Sequence, residues 1–240
     1  MDGITKTLVI GAHGRIGQIL CKILAETDNH EPAAFIRKEN QKGVFKEMKV
    51  PTVMGNLEDS VGTLAQHFSG FDCIVFTAGS GGSTGTDKTI SVDLEGAVRT
   101  MHAAEVARIS RYIMVSASHT DDREYWDKVE SKKPYYIAKH FADKALRSSS
   151  LNYTILRPVQ LVDESASGKI TASHNPDDVG NEIPRADVAC VIKEIIEMPS
   201  TMYHTIELSK GDFKIRQALQ IVTGFEGFVV GSECVQPKYK

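Results

Sequence analysis

Tyr135 and Lys139 stand four residues apart in the run Pro134-Tyr135-Tyr136-Ile137-Ala138-Lys139. On a helix that spacing puts both side chains on one face, a turn apart. A phenol titrates at about 10, so acid–base work at neutral pH requires that its phenolate be favoured. A neighbouring ammonium, a helix N-terminus and an oxidised nicotinamide each favour it. Pro134 suits the first position of such a helix. A hydroxyl must also orient a substrate carbonyl, and Ser116-Ala117-Ser118, directly after an apolar run, supplies one. Tyr136 has His140 rather than a lysine at the same spacing, so Tyr135 is the better candidate. The spacing alone also occurs on ordinary solvated helix faces. Its weight comes from following a serine-bearing strand end in a chain that also carries a glycine loop.

That loop is Gly11-Ala12-His13-Gly14-Arg15-Ile16-Gly17, set between the apolar run Thr7-Leu8-Val9-Ile10 and a stripe of Ile16, Ile19, Leu20, Ile23 and Leu24 at helical spacing. Strand, glycine loop and amphipathic helix together form the context of a dinucleotide site. Gly11 permits the tight turn, Gly14 lets backbone approach a pyrophosphate, and Gly17 lets the helix pack close. The helix N-terminus then favours phosphate. The whole loop, with His13 as a turn residue and Arg15 and Ile16 at the helix start, is the candidate cofactor-binding segment. A ligand-free turn could use the same glycines.

The end of the second strand bears on which dinucleotide. NAD sites present an acidic residue there to the ribose 2′-hydroxyl. Here the chain reads Ile36-Arg37-Lys38, with no carboxylate before Glu39. An arginine can pair with a 2′-phosphate, so Arg37, seconded by Arg15, favours NADP (NADPH) over NAD. The plainer alternative is that Arg37 and Lys38 are solvated loop cations.

These pieces need a parallel sheet to hold them. Short apolar runs alternate with amphipathic stretches along the chain, the pattern of strands covered by helices. Strands are expected at Thr7–Ile10, Ala33–Ile36, Val50–Met54, Cys73–Ala78, Tyr112–Val115 and Tyr153–Leu156, with a last one at Tyr203–Leu208. Helices are expected around Leu94, Val98 and Met101, from Pro134 onward, and around Val188, Val191, Ile192, Ile195 and Ile196. The segments Gly79–Gly85 and Asp163–Asn181 read as loops at the carboxyl edge of the sheet, where open α/β folds bind ligands. The run Phe228-Val229-Val230 in the tail from Gly224 to Lys240 reads as an edge strand, a docking segment or disorder. The fold class is therefore α/β, a Rossmann-type doubly wound parallel sheet in a single domain spanning 1–240, with a small C-terminal substrate region mainly in 159–240.

Composition narrows the partners. A net charge of −3 over 240 residues leaves no footprint for nucleic acid or an anionic membrane. No apolar run reaches the ~18 residues a membrane span needs, and the first residues lack a secretory pattern. Cys21, Cys73, Cys190 and Cys234 form no CxxC pair and read as reduced thiols of a cytoplasmic protein. No metal-ligand set stands at suitable spacing. The expected partner is a small-molecule substrate, with oligomeric state left open.

In their order, these motifs resemble an atypical short-chain dehydrogenase/reductase, close to the NmrA-like NAD(P)H-binding oxidoreductases. The resemblance runs from residue 5 to about 220. It is carried by the glycine loop, Phe35-Ile36-Arg37, Gly55-Asn56-Leu57, Thr77-Ala78-Gly79, Val92-Asp93-Leu94-Glu95-Gly96 and Val115-Ser116-Ala117-Ser118. It continues through Pro134–Lys139, Tyr153–Pro158 and Ile183-Pro184-Arg185-Ala186-Asp187-Val188-Ala189. It implies that Ser118, Tyr135 and Lys139 form the catalytic triad. It also implies that Asn56, Leu57, Ala78 and Gly79 flank adenine and ribose, and that Pro158 and Val159 flank nicotinamide. The family usually has Asp where Asn56 stands, which weakens the adenine contact inferred there. The implied function is NADP(H)-dependent hydride transfer to or from a carbonyl or alcohol. The alternatives are an NmrA-like sensor of NADP(H) without turnover and a sugar-nucleotide epimerase or dehydratase, although those enzymes usually carry a larger C-terminal region.

Overall fold

The computed structural model describes residues 3–81 and 85–224. Its first half repeats strand and helix: β1 (Thr5–Ile10), α1 (Arg15–Ala25), β2 (His30–Ile36), α2 (Lys42–Glu47), β3 (Thr52–Met54), α3 (Val61–Phe68) and β4 (Cys73–Phe76). A short helix α4 (Thr86–Lys88) then runs into a π-helix (Thr89–Gly96) and α5 (Ala97–Val106), followed by β5 (Arg111–Val115). Next come α6 (Arg123–Lys128), α7 (Lys133–Arg147), β6 (Asn152–Pro158), β7 (Gln160–Val162) and β8 (Lys169–Ser173). The described chain closes with β9 (Glu182–Pro184), α8 (Arg185–Ile196), β10 (His204–Lys210), β11 (Phe213–Lys214) and α9 (Ile215–Val222).

Nine strands form one sheet in the order β11-β8-β10-β6-β5-β4-β1-β2-β3. From β3 to β10 all neighbours run parallel; β8 lies antiparallel to both β10 and β11. The strand order reverses at β1, which pairs with β2 on one side and β4 on the other. That reversal opens a crevice at the carboxyl ends of β1 and β4, the usual ligand position in a doubly wound sheet.

Alternation along the strands builds two apolar layers. Val9, Val75 and Ile113 face one way, into a core with Leu20, Leu24, Val188 and Ile192 from α1 and α8. Leu8, Ile10, Ile74, Phe76, Tyr112 and Met114 face the other, packing with Leu64, Phe68, Met101 and Leu146 from α3, α5 and α7. Both faces being covered explains why these strands read as continuous apolar runs rather than alternating ones.

Two expectations need correcting. The segment Asp163–Asn181 is not wholly loop, since it contains β8, whose Ser173, Ala172 and Thr171 pair with Glu207, Leu208 and Ser209 of β10. Lys-Ile-Thr-Ala-Ser is a weak strand by itself, and the neighbouring strand supplies the ladder. The strand expected at Tyr203–Leu208 is real but not last, because the two-residue β11 follows it. Phe228-Val229-Val230 lies outside the described residues.

Candidate active site

The glycine loop has the geometry its residue types demand. Gly11 has φ of 80°, and a Cβ there would stand 2.5 Å from the Ala78 amide nitrogen. A Cβ on Gly17 would meet the Ala12 Cα and the Gly11 carbonyl at 2.6 Å, so α1 packs against the turn with no room for a side chain. Gly14 differs. Its amide donates to the Gly11 carbonyl at 2.8 Å, and that oxygen, at 3.1 Å, is all an added Cβ would meet. Gly14 is also the N-cap of α1, where no side chain caps the helix and no acidic residue occupies the first turn. An open backbone cradle with uncapped amides fits a pyrophosphate. The exposed His13 has its carbonyl held by the Gln18 amide at 2.8 Å and serves the turn. Ile16 packs against the core.

The two candidate phosphate-reading arginines lie differently. Arg37 is exposed just beyond β2, and the Gln41 side chain accepts from the amides of both Arg37 and Lys38 at 3.0 Å. Glu39, the first carboxylate after β2, is occupied by Lys42 at 2.9 Å. Arg15 reaches across the crevice to Asp163, which Arg185 also holds at 2.7 Å. An anion at Arg15 would therefore compete with Asp163.

Asn56 closes its own turn: its side-chain oxygen accepts from the Glu58 amide at 3.2 Å, and its amide donates to Asp59 at 2.9 Å. Leu57 packs close to Gly96 of the π-helix. Ala78 backs Gly11, and Gly79 lies beside Asp93. Pro158 ends β6 with its carbonyl accepting from the Ser118 amide at 3.0 Å, while the half-buried Val159 donates to Leu208 at 3.0 Å. All of these stand at the carboxyl edge, around the crevice.

The chemistry-bearing residues meet one layer deeper. Pro134 is the second residue of α7 rather than its first. Lys139 is buried, donates to the Val115 carbonyl at 3.3 Å, pairs with Asp93 at 3.6 Å and lies 5.7 Å from the centre of the Tyr135 ring. The second Asp93 oxygen accepts from the Ser80 amide at 2.9 Å, which ties the strand-end turn to Lys139. Burial pushes the Tyr135 phenol up; Lys139 opposes this, but Asp93 and Asp143 add to it, and the phenol titrates above its ordinary value. This runs against the expectation of a lowered phenol: burial leads the shift, and Asp93 and Asp143 offset the charge of Lys139. For Lys139 itself burial disfavours the ammonium, yet Tyr135, Asp93 and Asp143 outweigh it and its proton is held more tightly than usual.

Ser118 is buried, with its oxygen shielded from solvent and facing the Glu207 carboxyl. Behind it Arg157 joins three acids: Asp143 at 2.8 Å, Asp121 at 2.7 Å and Glu207 at 3.3 Å. Asp93, Asp143, Arg157 and Glu207 were not singled out from residue types and spacing. A signal for two of them exists in the strands, because a charge inside a run buried on both faces, as in Ile155-Leu156-Arg157-Pro158 or Ile206-Glu207-Leu208, cannot be solvated and must find a partner. Asp143 lies one turn beyond Lys139 on the face that already holds Tyr135.

Comparison with known proteins agrees with this geometry. The uncharacterized sugar epimerase YhfK of Bacillus subtilis is 42% identical over 215 residues, covering 90% of this chain and 99% of that protein. A Bacillus halodurans structure described as an NAD-dependent epimerase/dehydratase superposes with a TM-score of 0.84 at 38% identity, covering 91% of this chain and all of that one. The oxidoreductase ylbE of Lactococcus lactis superposes with a TM-score of 0.81 at 32% identity, covering 94% of this chain and all of that one. The family described as NAD(P)H-binding matches residues 11–199, and with the open glycine cradle at the switch point of its sheet this chain belongs to that family.

Proposed function

We propose that this chain is an NADP(H)-dependent oxidoreductase of the short-chain dehydrogenase/reductase type, acting on a carbonyl or alcohol. The observation that carries the reading is the Tyr135 ring beside the buried Lys139 ammonium, 5.7 Å away, at the sheet edge that also bears the glycine cradle. When bound, the nicotinamide would supply or accept the hydride. Tyr135 keeps its proton at neutral pH and gives it to the carbonyl oxygen as the carbon is reduced. Lys139 compensates the charge left on Tyr135, and Asp93 holds Lys139 and the Ser80 turn in register. Ser118 orients the oxygen.

The cofactor choice rests on Arg37, exposed where an acid would otherwise meet the ribose, and on the engagement of Glu39 by Lys42. Gly11, Gly14 and Gly17 hold the pyrophosphate; Leu57, Ala78 and Gly79 line the adenosine side, and Pro158 and Val159 the nicotinamide side. Cys21, Cys73 and Cys190 are free thiols, which suits a cytoplasmic chain. Among the described residues no helix is long and apolar enough to cross a membrane.

The deciding experiment follows NADPH absorbance while a panel of aldehydes and ketones is offered. Consumption of NADPH with one alcohol formed per cofactor oxidised supports the reading. Tight NADPH binding with no turnover across the panel sinks it in favour of a redox sensor. The relatives named as epimerases favour a second reading, in which Tyr135 serves an oxidation that is reversed on the same substrate. Inversion of a sugar nucleotide with no net change in cofactor would select it.

A further inference from the structure

Behind Ser118 the charges do not balance. Arg157 contributes one positive charge, and two fully buried carboxyls, Asp143 and Glu207, share it with the half-exposed Asp121. Asp121 has partners of its own, the His140 ring nitrogen at 2.7 Å and the Arg147 cation at 3.4 Å. Asp143 accepts the guanidinium Nε–H on Oδ2 at 2.9 Å, with Nη2 also 2.8 Å from that oxygen. Glu207 receives a single contact at 3.3 Å on Oε1. Its Oε2 and the Ser118 Oγ are both buried without a hydrogen-bond partner among the described residues, and Ser118 lies close enough to Glu207 to act on its carboxyl. A buried carboxylate with so little compensation costs several kcal/mol, and the group keeps its proton instead.

We propose that Glu207 is held as a neutral carboxylic acid at neutral pH and acts as a positioning residue, its O–H donating to Ser118 Oγ so that the Ser118 hydrogen is free to be donated to a carbonyl oxygen. This consequence rests on the role given to Ser118 in the proposed function. The polarity matters because an ionised Glu207 would accept the Ser118 hydrogen and leave the hydroxyl only lone pairs to offer, which repel a carbonyl oxygen. Burial raises both Glu207 and Asp143; Ser118 and Arg157 oppose it at Glu207, and Arg157 and Ser116 oppose it at Asp143. Arg157 stands closer to Asp143, at 2.8 and 2.9 Å, than to Glu207, at 3.3 Å, which favours the proton on Glu207 rather than Asp143. The groups facing Glu207 are Ser118 after β5, Arg157 on β6 and Asp143 on α7.

Infrared difference spectroscopy of the full chain at neutral pH, wild type against Glu207→Gln, reads the proton directly. A protonated-carboxyl stretch present in the wild type and missing from the variant is expected. No difference, or loss of the band in Asp143→Asn instead, overturns the proposal. On a carbonyl substrate, turnover should fall as pH rises through the Glu207 titration, and Glu207→Gln should remove that basic limb because its amide still donates to Ser118. Glu207→Leu, with no donor, should lose about tenfold to a hundredfold in kcat, and Glu207→Gln clearly less. Equal losses in the two variants overturn the positioning role. If the band belongs to Glu207 but Ser118→Ala reduces substrate at the wild-type rate, it is the role of Ser118 that fails, and the protonation of Glu207 stands.

Discussion

At neutral pH the Tyr135 phenol keeps its proton, because burial together with Asp93 and Asp143 outweighs the Lys139 ammonium. In the proposed carbonyl reduction its part would be that of a general acid, a contribution of roughly a hundredfold to ten-thousandfold. Tyr135→Phe should lower turnover within that range while NADPH affinity, read by calorimetric titration, barely changes. Wild-type turnover in the variant would remove Tyr135 from the mechanism. Arg37 has the opposite character, exposed and remote from proton transfer. Arg37→Asp should cost at least about 1.4 kcal/mol of the preference for NADP over NAD, a tenfold change, with turnover at saturating cofactor unaltered. Equal affinity of the wild type for both cofactors would contradict the assignment. Both expectations come from residue types in sequence, but the upward shift of the phenol comes first from its burial, with Asp143 of the same helix and Asp93 of the π-helix adding to it.

Two elements, the β1–α1 turn and α8, carry predictions of their own. Gly17→Ala places a Cβ 2.6 Å from backbone atoms of Gly11 and Ala12, so α1 must retreat from the turn. A destabilisation of about 3 kcal/mol is expected in denaturant unfolding. At Gly14 an added Cβ would meet only the Gly11 carbonyl at 3.1 Å, in a backbone conformation open to any residue, so Gly14→Val is the matching test. It should stay folded and lose cofactor binding, since its side chain would occupy the place of the pyrophosphate; unchanged affinity in a folded variant would put the phosphates elsewhere. At the far end of the sheet, Glu197 after α8 joins Lys193, Asn29 and His30 at 2.9–3.0 Å. Burial pushes its carboxyl up, but those hydrogen bonds outweigh it and hold it at about 2. A pKa below the unfolded value means that the folded state binds fewer protons. The stabilisation is thus complete above the usual glutamate range and is lost as pH falls toward 2. Acid unfolding of Glu197→Gln should start from a stability lower by on the order of 1–3 kcal/mol at neutral pH and slope less steeply between pH 5 and 2. Matching slopes would show that Glu197 titrates normally.

Over the whole molecule, the crevice depends on β1, β4 and the π-helix holding their places together. A ligand that binds only the folded state stabilises it by mass action, about 2.7 kcal/mol at a hundredfold excess over Kd. NADPH should raise the unfolding midpoint more than NADH at equal concentration, and Gly14→Val should abolish both shifts. A midpoint raised equally by both cofactors would argue against NADP preference at the level of the intact protein.

The local signals that survived are those whose physics is local. Gly17 is demanded by backbone space within one turn and Gly11 by its positive φ, and the Tyr135–Lys139 spacing follows the pitch of one helix. The strands were legible because a parallel sheet covered on both faces needs unbroken apolar runs. The sequence also carried Arg37, since a missing acid after β2 is visible without a fold. What it could not decide depends on strands far apart in the chain. Strand β8 gains its ladder only from β10, so Lys169–Ser173 looked like loop. Asp93 reaches Lys139 across 46 positions of chain, and Glu207 reaches Ser118 and Arg157 only because β5, β6 and β10 lie side by side in the sheet. The Tyr135 phenol is shifted mainly by its burial, which only the packed structure decides, and by Asp93 from the π-helix. Helix spacing records the contribution of Asp143, one turn beyond Lys139, but not those two.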